Sequence, residues 1–120
     1  MTLELLEKEY AVCRLHEPVL PGGEFVSLTM SAGEISLVCE AAAAPDGGAV
    51  ERGWRGLRVA GVLDFSLVGI LVALTAALAE AGVPVFAVST YNTDYLFVKE
   101  ENLDAALRAL AAHGHYLADA

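Results

Sequence analysis

The feature that most restricts this chain is a helix framed by two strands. From about Leu67 to Ala81 the sequence is apolar, and Leu67, Ile70, Leu71, Leu74 and Leu78 recur at the spacing of one helical face. Ser66 is the expected N-cap, because its hydroxyl can accept from a first-turn amide. Gly82 is the expected residue just past the helix, and Pro84 forbids its continuation. The run is broken by Gly69 and Thr75 and is too short to span a bilayer. On one side, Trp54–Val62 sets Leu57 and Val59 against Arg58, the alternation of a half-buried strand. On the other, Val83–Thr90 (VPVFAVST) reads as a second strand.

The pattern continues. Tyr91-Asn92-Thr93-Asp94 is a turn, and Tyr95–Lys99 is its hairpin partner. Glu100–Ala112 predicts a second helix, with Asn102 as N-cap, Gly114 as stop, and Leu103, Ala106, Leu107 and Leu110 as its buried stripe. Tyr116–Ala118 closes as a short strand. Residues 53–120 thus read β-α-β-β-α-β, the ferredoxin-like order of an α+β fold.

Upstream, Tyr10–Leu15 (YAVCRL) predicts a strand, and His16–Glu24 a loop rich in Pro and Gly. Phe25–Met30 and Ile35–Cys39 predict an antiparallel hairpin. Ala41–Arg52 is expected to separate two halves. Residues 1–52 read as the same plan with the first helix replaced by the Pro/Gly loop, a degenerate βββ half.

Composition narrows function. The net charge of −9 repels a phosphate backbone and an anionic lipid surface, so neither nucleic acid nor membrane is an expected partner. The start, MTLELLEKEY, lacks the basic and apolar regions of a signal peptide, and a cytoplasmic location is expected. Cys13 and Cys39 lie in apolar strand-like runs and read as buried free thiols. His16, His113 and His115 lack the spacing of a metal site, so no metal and no cofactor is expected. No nucleophile elbow, phosphate loop, zinc motif or dinucleotide motif occurs, which argues against an enzyme.

The strings YAVCRL, FVSLT, EISLVC and GWRGLRVAG carry a resemblance, as do DFSLVGIL and STYNTDYLFVK. Together they resemble the small bacterial ACT-domain proteins related to the cytosolic arginine sensors, the CASTOR family, with an ACT domain like that of aspartate kinase. The resemblance covers nearly the whole chain. It implies an ACT fold, an amino-acid-binding regulatory role, and a ligand held between two ACT domains in a homodimer. Family members often carry a longer, tryptophan-containing insert between the first two strands, whereas His16–Glu24 has no tryptophan.

Two segments are candidates for ligand contact. The turn Leu63–Ile70 places a helix N-terminus at a strand end, where the amides of Leu67, Val68 and Gly69 have no partner within the helix. Such a terminus attracts a carboxylate, and Gly69 leaves room for close approach. Ser66 is the competing partner for these amides, and Asp64 would either repel a carboxylate or face an ammonium. The hairpin tip supplies the second segment. Asp94 suits an α-ammonium or guanidinium, and Ser89, Thr90 and Thr93 carry hydroxyl donors beside Asn92. The same tip also reads as a polar turn that satisfies its own backbone. The candidate ligand-binding set is therefore Asp64, Ser66, Leu67, Val68, Gly69, Ile70, Ser89, Thr90, Asn92, Thr93 and Asp94. The alternative is a ligand-free dimerisation or protein-interaction module.

Overall fold

The computed structural model describes residues 1–63 and 69–118. Along the chain run β1 (Thr2–Arg14), β2 (Ser27–Ser31), β3 (Glu34–Glu40), β4 (Ala49–Val59), α1 (Ile70–Glu80), β5 (Phe86–Ser89), β6 (Asp94–Lys99), α2 (Leu103–Ala112) and β7 (Tyr116–Leu117). Short 3₁₀ turns cover Ala41–Ala43 and Glu100–Asn102. The chain divides into two compact units, Met1–Leu6 with Arg55–Ala120, and Glu7–Trp54. No described helix is long and apolar enough to cross a membrane.

In the first unit β4 lies beside β6, and β6 beside β5. The β5–β6 hairpin is antiparallel, with Phe86 opposite Phe97 and Ser89 opposite Asp94. Leu57 and Val59 of β4 and Leu96 and Val98 of β6, each pair two residues apart, turn to one face. There they meet Leu74, Ala77 and Leu78 of α1, Ala106 and Leu110 of α2, and Leu3. The expected helical stripes are therefore the buried ones, with Ile70, Leu71, Leu103 and Leu107 half-buried at the margin. The opposite face holds Phe86 stacked on Phe97 at 4.9 Å. Gly56 is buried there because nothing larger fits: a Cβ would lie 2.7 Å from Leu6 Cδ1 and 2.9 Å from Phe97 Cε1.

Several expectations change. The first strand begins at Thr2, not Tyr10. Its opening residues have helix-forming side chains, yet Leu3 and Leu6 are buried, and tertiary burial overrides propensity. Met1–Leu6 packs within the unit of the C-terminal domain rather than with residues 7–52. There Thr2 and Leu3 pair in parallel with Tyr116 and Leu117, so β7 adds to β1 and not to β4. Ala41–Arg52 is not wholly linker, since β4 starts at Ala49. Helix α1 begins at Ile70, and its N-cap is Gly69 in the left-handed region (φ 84°), not Ser66. Asp64, Ser66, Leu67 and Val68 lie outside the described residues. After α1, Gly82 takes φ 74° and Val83 N donates to Leu78 O, so β5 starts only at Phe86.

The second unit is built on β1, β2, β3 and β4, with β1 between β3 and β4 and β2 at the edge beyond β3. The β2–β3 hairpin turns at Ala32-Gly33, between the paired Ser31 and Glu34. Strands β1 and β3 are antiparallel, Ala11 opposite Cys39 and Cys13 opposite Leu37. Ala11, Cys13, Leu15, Leu37, Cys39 and Ala41 form its core. Phe25, from the end of the Pro/Gly loop, is buried edge-on against Tyr10 at 6.2 Å. The unit contains no α-helix.

Candidate functional site

The tip of the β5–β6 hairpin is fixed by its own polar side chains. Thr90 N donates to Thr93 O (2.8 Å), and Thr90 Oγ1 donates to the same oxygen (3.1 Å) while accepting from Thr93 N (3.3 Å). Thr93 is buried, and its hydroxyl donates to Val59 O at 2.7 Å, tying the tip to the end of β4. Leu63 N donates to Asn92 O at 2.6 Å and makes a second tie from the segment after β4. Across the last pair of the hairpin, Ser89 Oγ donates to Asp94 Oδ1 at 2.6 Å. That bond orients a half-buried carboxylate, and among the described residues no donor reaches its Oδ2.

Facing this tip is the start of α1. Ala73 N donates to Gly69 O at 2.8 Å, the first intrahelical bond. The amides of Ile70, Leu71 and Val72 precede it and have no intrahelical acceptor. No described side chain caps them. The helix dipole adds partial positive charge at the same place. The described free donors are thus those of Ile70–Val72, while Leu67 and Val68, also expected as donors, lie outside the described residues.

Between the two elements is a cleft of about 240 Å³, lined by Leu63, Gly69–Val72 and Ser89–Asp94. Of the residues predicted from sequence, it brings together Gly69, Ile70, Ser89, Thr90, Asn92, Thr93 and Asp94. Asp64, Ser66, Leu67 and Val68 fall outside the described residues. Leu63, Leu71, Val72 and Tyr91 also line it and were not in the predicted set. Their apolar or aromatic side chains gave no polar signal, though any first-turn residue of α1 would have been flagged had Gly69 been recognised as the cap. Chemically, the cleft offers amide donors for an anion on one wall, a carboxylate for a cation on the other, and apolar side chains between.

His113 is engaged elsewhere: its Nδ1 meets Ala109 O at 3.0 Å and its Nε2 meets Glu80 at 3.3 Å. Among the described residues no group of three or more His, Cys, Asp or Glu side chains could hold a metal ion.

The order βαββαβ with a polar cleft at the start of its first helix defines an α+β class of small binding domains. The ACT domain pattern matches residues 49–112, and the chain belongs to the ACT-domain family. A protein of Agobacterium tumefaciens of known crystal structure is 32% identical, with a TM-score of 0.90 over 98% of this chain and 91% of that one. A Vibrio cholerae protein described as of unknown function, a possible transport protein, is 24% identical, with a TM-score of 0.75 over 93% of this chain and 88% of that one. The regulatory subunit of aspartate kinase from Thermus thermophilus is 13% identical, with a TM-score of 0.64 over 93% of this chain and 96% of that one. The last two likenesses show the fold alone. Among curated proteins none matches the chain.

Proposed function

We propose that the chain is a non-catalytic, cytoplasmic regulatory module that binds a free amino acid in the cleft between the start of α1 and the β5–β6 tip. The observation that carries this reading is the pairing of opposite recognition chemistries across one cleft: amides at Ile70–Val72 that no described side chain caps, and the Ser89-oriented carboxylate of Asp94. An α-carboxylate suits the amides and an α-ammonium suits Asp94. Gly69, Ser89, Thr90 and Asn92 shape the opening, and Thr93 positions the tip. Asp64, Ser66, Leu67 and Val68, which lie outside the described residues, belong to the proposed set on the sequence alone.

Two further parts belong to this reading. Residues 1–52 are a degenerate ACT-like half in which the Pro/Gly loop replaces the first helix, and the sheet order, with β1 between β3 and β4 and β2 outermost, supports it. The working form is a homodimer in which the ligand sits at an ACT–ACT interface, and kinship with the CASTOR sensors, on the strings quoted above, supports it. The fold shared with an aspartate kinase regulatory subunit supports a regulatory role.

A ligand-free dimerisation module is the second reading, favoured by Val72 and Tyr91, which stand 70% and 81% exposed at the cleft. A thermal-shift screen against the twenty amino acids separates the two. A ligand at ~100 times its dissociation constant adds about 2.7 kcal/mol of stability. One amino acid is expected to raise the melting temperature of the wild type and to leave Asp94→Ala unchanged. No response to any of them, in a protein that melts cooperatively, favours the dimerisation module.

A further inference from the structure

We propose that the free edge of β2 pairs antiparallel with β2 of a second copy of this chain, about a two-fold axis at Thr29. Strand β2 lies at the edge of the sheet, with β3 on one side and no described strand on the other. It belongs to the unit Glu7–Trp54, and the contact does not depend on the ligand reading of the cleft. An edge strand is a template for another strand, and proteins commonly blunt it with a charge, a proline or a bulge. β2 has none of these. Residues 25–33 carry no charge and no proline, in a chain of net charge −9. All five residues of β2 pair in unbroken register with β3, from Ser27 opposite Val38 to Ser31 opposite Glu34.

That register shows which groups are free. Ser31 and Glu34 flank a two-residue turn and form a hydrogen-bonded pair. Such pairs alternate along an antiparallel ladder. Ser27, Thr29 and Ser31 therefore direct amide and carbonyl to β3, whereas Leu28 and Met30 direct theirs outward. Side chains alternate with the same period. Leu28 packs against the core of its unit, and Met30, on the same face opposite Ile35, is 63% exposed. The order Ser27-Leu28-Thr29-Met30-Ser31 alternates polar and apolar and reads the same from either end, which fits a second copy as the occupant. With Thr29 on the axis, Leu28 lies opposite the partner's Met30, and Ser27 opposite the partner's Ser31. Leu28 and Met30 then exchange backbone bonds with the second strand, apolar side chains cover Met30, and no charge meets its like. The contact is five residues a side, so association is concentration-dependent rather than permanent.

The test is sedimentation equilibrium of the full chain between about 10 µM and 1 mM. The weight-average mass is expected to rise with concentration, and to rise further with added salt, which screens the repulsion between two acidic copies. Thr29 is exposed, and Thr29→Lys and Thr29→Glu should each abolish the rise, because like charges then oppose each other at the axis. An equimolar mixture of the two variants should restore it, a rescue that only a contact pairing position 29 with itself produces. The proposal is overturned by a wild type whose mass does not change over this range, by variants that associate as the wild type does, or by a mixture no heavier than its components. Ligand binding is not read in this experiment, so its failure leaves the assignment of the cleft standing.

Discussion

Thr93 shows how one side chain can hold a cleft in shape while its hydroxyl is spent elsewhere. Its hydroxyl, expected from sequence as a free donor, points inward to Val59 O. Thr93→Val leaves that carbonyl without its donor and should cost about 1–3 kcal/mol in urea unfolding. If the cost is negligible, the tip is not held by this bond. Cys39 makes a second residue-scale prediction. Burial pushes its thiol from the ordinary 9.0 up to about 11, Cys13 beside it adds to the rise, and Arg52 opposes it. The folded chain therefore holds this proton more tightly than the unfolded one. Its contribution to stability is full below about pH 9 and is lost as pH rises through about 11. Denaturation midpoints measured across that window should fall for the wild type and fall less for Cys39→Ala. Equal slopes would contradict the assignment.

At the scale of elements, the packing of β4 against β6 depends on the absence of a side chain at Gly56. Gly56→Val places new atoms against Leu6 and Phe97 and should destabilise by about 1–3 kcal/mol, read as a lower denaturation midpoint. An unchanged midpoint would mean that the Phe86–Phe97 stack yields at little cost. The elements also show what sequence can and cannot reveal. Periodicity located α1 and α2, because Leu74, Leu78, Ala106 and Leu110 must share buried faces. It could not place the first turn of α1, because an apolar run carries no mark of where its amides begin to be free. The cap is instead a glycine in a left-handed conformation, and sequence presented Ser66 as the more familiar cap. The start of β1 was hidden for the opposite reason: Glu and Lys at positions 7–9 are exposed, and only partners distant in sequence make Leu3 and Leu6 core residues.

On the scale of the whole molecule, the chain builds two apolar cores, one around α1 and α2 and one around Cys13 and Cys39. Only the first belongs to a complete βαββαβ order, and the cleft lies within that unit. The polar half of the cleft was legible in sequence, since Ser89–Asp94 is a run of turn and donor residues. The apolar half was not, because Leu63, Leu71 and Val72 resemble any core residues until the helix start is known. A net charge of −9 favours the approach of a cationic group at long range, and Asp94 lines the cleft. Backbone amide NMR of ¹⁵N-labelled protein, titrated with the amino acid that raises its melting temperature or otherwise with each of the twenty at millimolar concentration, reads the cleft directly. Shifts confined to Gly69–Val72 and Ser89–Asp94, and absent in Asp94→Ala, are the predicted result. Shifts centred elsewhere, or none with any amino acid, would contradict the assignment of this cleft as the ligand site.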